Sequence, residues 1–141
     1  MKKYLVPVLS ILWILALVSI DRTFFLGTSA LFLPVFFATF NIWYFYQIKT
    51  KQQKIVYAIF VTILVVISFL SFPKVTINEA EKIIQKNEEI KSENTRTIPV
   101  TQEGISFFKP THFYLFENSQ GESFVMNPDT GEVTKKEVKG I

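Results

Sequence analysis

Side chains able to do chemistry are few in this chain, and none stands in a pattern that a reaction requires. His112 is the only histidine and there is no cysteine. That excludes thiolate catalysis, disulfides and Cys-based zinc sites, and it leaves a metal site short of ligands. Glu79 with Glu81 and Glu88 with Glu89 are carboxylate pairs. On a polar helix face such acids are solvated, and Glu79 also sits where a helix cap needs it. Asn127-Pro128-Asp129-Thr130-Gly131 looks like a fragment of a calcium loop. The alternating acids and closing glutamate are missing, so it reads as a turn. Ser106, Ser119 and Ser123 have no nucleophile elbow, and the five scattered glycines form no phosphate cradle. The expectation is a chain with no catalytic residue, no metal and no cofactor.

Binding is the chemistry that remains. Asn41 is the only amide in the interior of an apolar run, Gln47 standing at the end of the same run. It reads first as an interhelical hydrogen bond, about 1 kcal/mol or less, and second as a polar point in a binding cavity. Phe107, Phe108, Tyr114 and Phe116 are the candidates for a partner-binding patch, although strand alternation sends about half of such aromatics into the core.

The elements that must hold these residues divide at Pro73. Residues 1–73 carry six basic side chains and one acid, a net of +5; residues 74–141 carry nine basic and eleven acidic, a net of −2. The whole-chain charge of +3 therefore belongs to the apolar half. The basic residues flank apolar segments and do not line one face, so nucleic acid is not an expected partner. Three uncharged runs follow one another: Tyr4–Ile20, Thr23–Ile48 and Ile55–Phe72, of 17, 26 and 18 residues. Eighteen helical residues reach roughly 27 Å, about the hydrocarbon thickness of a bilayer. The first run is expected to stay as a span, since Ala16-Leu17-Val18 and Val18-Ser19-Ile20 make poor signal cleavage sites. Pro7 is expected in the first turn of its helix, Asp21-Arg22-Thr23 as a solvated connector, and Pro34 as a kink midway along the second span. Trp43, Tyr44 and Tyr46 suit a headgroup belt.

Lys49, Lys51 and Lys54 lie in one short loop without an acid, and Lys2 and Lys3 stand two spans away. Lysine-rich short loops stay inside. The predicted topology has the N-terminus and residues 49–54 cytoplasmic, and Asp21-Arg22 and residues 74–141 outside, in a bacterial cell membrane.

After Pro73 the signals are those of water-soluble structure. Thr76-Ile77-Asn78-Glu79 is a capping box opening a helix predicted over Ile77–Lys91. A polar break at Ser92-Glu93-Asn94 follows. Period-two segments come next: Thr97–Thr101, an edge strand limited by Pro99; Ile105–Phe108, set off by a turn at Gln102-Glu103-Gly104; His112–Glu117 and Glu122–Asn127, expected to form a hairpin through a turn at Asn118-Ser119-Gln120-Gly121; and Glu132–Val138. The fold class predicted is three transmembrane helices followed by a small α+β domain of one helix on three to four antiparallel strands. Its expected core is Ile83, Ile84, Phe113, Leu115, Phe124 and Met126 or their neighbours.

Two stretches carry a family resemblance. Thr76-Ile77-Asn78-Glu79-Ala80 opens the helix, and Phe124-Val125-Met126-Asn127-Pro128-Asp129-Thr130-Gly131-Glu132-Val133 runs from a strand through a turn into the next strand. Together they resemble a PepSY-type domain over residues 75–138, with Asn127 standing where that family often has Asp. The resemblance implies an extracytoplasmic, non-catalytic module beside a protease or a membrane machine. The function expected is accordingly a non-enzymatic accessory or regulatory protein. Its spans would dock on a larger membrane protein or protease, and its outer domain would bind a protein partner. The alternative is a homo-oligomeric transport or channel component, with an enzyme third.

Overall fold

The computed structural model describes residues 2–86, 95–100 and 108–136. Three helices come first. α1 runs Lys2–Ile20 and continues as a π-helical turn, Asp21–Phe25; α2 is Phe32–Phe45; α3 is Lys51–Leu70. The segments Tyr4–Phe25 and Lys51–Leu70, of 22 and 20 residues, are long and apolar enough to cross a membrane, and only 17% and 11% of their most apolar stretches are buried. A core helix of a water-soluble protein would be largely covered. Here Leu5, Leu12, Phe36, Ile59, Val66 and Phe69 are all exposed. α2 has 14 residues, about 21 Å, and is shorter than the 26-residue run that contains it.

These helix boundaries correct three expectations. Asp21-Arg22-Thr23 is not a solvated connector. The helix carries on through it, Asp21 is buried, and its Oδ1 accepts the Ser29 N–H at 3.0 Å. The carboxylate thereby fastens the loop over residues 26–31, which turns through Leu26 at φ 51° and Gly27 at φ 80°. Because α2 starts only at Phe32, Pro34 falls in its first turn, where the missing N–H has no intrahelical partner to lose, and it introduces no kink. α1 starts earlier than its apolar run, so Pro7 lies in the second turn and removes one ladder bond there.

α1 and α3 finish at the same place. Phe25 stacks on Phe72 with centroids 5.4 Å apart, and Ala30 N–H donates to the Ser71 carbonyl at 3.0 Å. α1 and α3 therefore run in the same direction and α2 returns between them, packing on both. Phe37, Phe40 and Tyr44 of α2 meet Phe60 of α3 edge-on at 5.8–5.9 Å. The start of α3 is fixed by a capping box: Gln53 N–H donates to Thr50 Oγ1, and Gln53 Oε1 accepts from Thr50 N–H at 2.9 Å. The signature Thr50-Lys51-Gln52-Gln53 puts the helix start four residues before the apolar run.

The outer domain consists of α4 (Ile77–Gln85), β1 (Arg96–Pro99), β2 (His112–Glu117), β3 (Ser123–Met126) and β4 (Val133–Lys136). The four strands form one antiparallel sheet in the order β1-β2-β3-β4, which leaves Pro99 on an edge as its chemistry demands. The box at Thr76 forms, with Thr76 N–H donating to Glu79 Oε2 at 3.0 Å. β2 and β3 make the expected hairpin, with Gly121 at φ 82° in its turn. Asn127 Oδ1 accepts from Asp129 N–H, and Gly131 N–H closes back on the Asn127 carbonyl at 2.8 Å. The expected end of the helix at 87–91, the break at 92–94, the pieces at 101–107 and the tail at 137–138 lie outside the described residues.

The core is Ile77, Ala80, Ile84, Tyr114, Phe116, Phe124 and Met126. It uses the opposite face of β2 from the one expected: Tyr114 and Phe116 point inward, whereas Phe113 and Leu115 are half-buried on the other face. Register decides this. Tyr114 pairs with Met126 and Phe116 with Phe124, so these four side chains share the face that α4 covers. On α4 it is Ile84 that is buried, with Ile83 exposed.

Candidate functional site: a groove between the first and third helices

Parallel helices that both lean on a third need not touch each other. α1 and α3 are tied by Trp13 Nε1, which donates to Ser68 Oγ at 3.2 Å, while Ser68 donates in turn to the Leu64 carbonyl. Below that tie lies a cavity of about 190 Å³. Leu9, Ser10 and Trp13 form one wall, Tyr57, Val61 and Val65 the other, and Ala38 and Asn41 of α2 form the floor. The floor is close-packed, with Ala38 fully buried and Ser10 and Asn41 nearly so.

Asn41 Nδ2 donates to Ser10 Oγ at 3.0 Å, joining α2 to α1. This is the interhelical bond that an amide in an apolar run suggests. Asn41 Oδ1 is buried and makes no well-formed hydrogen bond, although the Tyr57 side chain lies beside the amide. A buried carbonyl oxygen without one costs about 1–3 kcal/mol, and this one belongs to a residue lining the groove. The other sequence candidates separate. Phe108 is exposed, Tyr114 and Phe116 are fully buried in the outer core, and Phe107 lies outside the described residues. Tyr114 and Phe116 thus cannot form a surface patch. Ser10, Trp13, Tyr57 and Ala38 complete the groove, and no sequence signal sets them apart from their neighbours.

A second polar cluster lies where the helices meet the outer domain. Tyr114 Oη donates to the Val75 carbonyl at 3.1 Å, Val75 N–H donates to the Pro128 carbonyl at 2.9 Å, and Thr111 N–H donates to the Thr28 carbonyl at 3.0 Å. Burial pushes the Tyr114 phenol up to about 12; the Asp21 and Glu79 carboxylates add to the rise, and the neighbouring Thr28 hydroxyl opposes it. Thr28 Oγ1 lies beside that phenol without a well-formed hydrogen bond, and Ser29 Oγ is likewise buried and unpaired.

The remaining titratable groups do structural work. The Glu79 carboxyl is held below its usual value by the Thr76 N–H and hydroxyl that it caps. Glu122 is lowered by its ion pair with Lys135 and by the Asn118 amide. His112 Nδ1 is 3.0 Å from Thr111 Oγ1. Among the described residues no three His, Asp or Glu side chains are grouped closely enough to hold a metal ion. No protein-family model matches this chain, and no curated protein or solved structure matches it either.

Proposed function

We propose that this protein is a non-enzymatic membrane accessory or regulatory protein, crossing the bilayer three times and holding its α+β domain on the outer side. One observation carries the reading. The apolar, outward-facing helices are joined to the outer domain through hydrogen bonds at Thr28 and Val75, without a free linker. A partner that grips the helices would therefore set the position of the sheet as well. Three crossings are supported by the shared end point of α1 and α3, which obliges α2 to return across the same layer. The orientation rests on Lys49, Lys51 and Lys54 at the opposite end. The order of a capped helix followed by a strand–hairpin–strand sheet is compatible with the PepSY-type resemblance, which belongs to this proposal.

The test is affinity capture of the tagged full-length chain in mild detergent, read by mass spectrometry and mass photometry. The expected result is one membrane protein at a fixed ratio to this chain. A stable ring of identical chains would replace the reading with a homo-oligomeric transport component. Protease added outside wall-free cells is expected to trim residues 74–141, and full protection of that half would overturn the topology.

A further inference from the structure

We infer that the segment leading into β2 docks on the outer leaflet of the membrane, where Arg22 and Lys109 hold the headgroup of an anionic phospholipid. The inference rests on the membrane reading of the helices and gives the outer domain a lipid-facing end beyond its accessory role. Placement argues first. β2 and β3 are antiparallel, so His112 and the turn at 127–131 share one end of the sheet, and the turn at 118–122 forms the other. The shared end is the one fixed to the helices. Thr111 N–H donates there to the Thr28 carbonyl, and Val75 N–H to the Pro128 carbonyl. Thr28 follows the apolar segment Tyr4–Phe25 by three residues, and Val75 follows Lys51–Leu70 by five. Phe108 precedes Thr111 by three residues, which keeps it within roughly 11 Å of that attachment. It therefore lies near the level at which the apolar helices stop. The opposite turn is farther away by the length of β2, six residues or about 20 Å.

Exposure and charge argue second. Phe24, Leu26 and Phe108 are 46%, 39% and 46% exposed, and Arg22 and Lys109 are exposed beside them in the chain. Asp21, the acid next to Arg22, is buried and already accepts the Ser29 N–H. Among the described residues neither Arg22 nor Lys109 forms an ion pair. The other acids near this end are engaged elsewhere: Glu79 caps α4, and Glu132 accepts from Thr130 in the β3–β4 turn, with Asp129 in the same turn. Apolar side chains and unneutralised cations thus meet at the boundary between hydrocarbon and water. Aromatic rings settle in that layer, and long basic side chains lay their stems on apolar surface with the charge in the headgroups. A zwitterionic headgroup brings its own ammonium beside the phosphate, so two free cations favour the anionic lipid. An acidic protein segment would have to displace the headgroups already at this level.

The chain has no cysteine, so Phe108→Cys and, separately, Ser119→Cys each take a single bimane label; at 108 the apolar bicyclic label replaces the ring. Both full-length variants are reconstituted in phosphatidylcholine vesicles containing phosphatidylglycerol or phosphatidylcholine that carries a doxyl group on the chain close to the headgroup. The label at 108 is expected to be quenched by both lipids, with the phosphatidylglycerol effective at about fivefold lower mole fraction, the factor one cation provides at an anionic surface. The label at 119 is expected to stay unquenched. Adding Arg22→Gln and Lys109→Gln is expected to remove the preference and leave quenching by both lipids, and raised salt to narrow it. Equal quenching by the two lipids with both cations present would overturn the headgroup assignment. A label at 108 that neither lipid quenches, whether open to water or covered by a protein partner, would overturn the docking, as would equal quenching at 108 and 119. Recovery of the chain from the aqueous phase without detergent would defeat the membrane reading and this proposal together, whereas vesicle-inserted protein with an unquenched label at 108 defeats the docking alone.

Discussion

The helical half and the sheet half treat buried polar atoms in opposite ways. In the outer domain polar side chains at turns and caps are put to use. Thr76 and Glu79 satisfy each other's backbone, Asn118 Oδ1 accepts from Gln120 and Glu122 N–H, and Asn127 Oδ1 accepts from Asp129 N–H. In the helical half Thr28 Oγ1, Ser29 Oγ and Asn41 Oδ1 are buried without a well-formed hydrogen bond, and among the described residues no such atom occurs after residue 73. The sheet half has to close its own core in water, where an unmet group costs stability at once. The helical half exposes its apolar surface, so its folded form is completed by what surrounds it.

The sharpest way to break this contrast is to attack the sheet core. Phe116→Ala removes a fully buried ring, and the expected loss is about 3–5 kcal/mol. That is enough to unfold a small domain, so limited proteolysis should cut residues 74–141 rapidly while far-ultraviolet circular dichroism retains the helices. Loss of helical signal in parallel would mean that the two halves fold as one unit. Alkaline titration comes next. Tyr114 ionises near 10 when unfolded and near 12 when folded. A raised folded pKa means that its contribution is fully present below pH 10 and is lost as pH rises from 10 toward 12. The sheet core should therefore loosen across that window, followed by tyrosinate absorbance at 295 nm. Tyr114→Phe, which deletes the bond to the Val75 carbonyl, should flatten the transition and cost about 1 kcal/mol.

Paired cap mutations sharpen the contrast further. Thr76→Ala and Thr50→Ala destroy equivalent capping boxes, each about 1 kcal/mol in water. The melting temperature of the outer domain should fall for Thr76→Ala. For Thr50→Ala it should stay put, because α3 is held by its packing on α2. The smallest effect is in acid. Glu79 and Glu122 have folded pKa values below the usual 4.5, so their contribution is complete above pH 4.5 and fades as pH falls through and below that value. Glu79 is exposed and the Glu122 side chain is 35% exposed, so the decline should be slight and should shrink further in high salt.

Legibility in the sequence followed the same boundary. Features encoded by neighbours a few residues apart were readable: the Thr76 box, the Gly121 hairpin, the Asn127 turn and Pro99 on an edge strand. β2 was readable as a strand but not by face. Phe113-Tyr114-Leu115-Phe116 is apolar at every position, so no alternation exists to orient it, and the choice is made by Met126, Phe124 and the Val75 carbonyl from elsewhere in the chain. Asp21 failed for a related reason. Beside Arg22 it looks like a surface pair, and only the Ser29 N–H eight residues later reveals it as the fastener of a loop. Asn41 was visible as an oddity, but the cavity it lines is formed by residues indistinguishable from ordinary lipid-facing ones.

The absence of slack around Val75 has a mechanical consequence. With Ser71 holding Ala30, Val75 holding Pro128, and Thr28 holding Thr111, the sheet is mounted on the helix ends like a signpost on its post. A tilt or twist of α3 is therefore expected to carry the sheet with it.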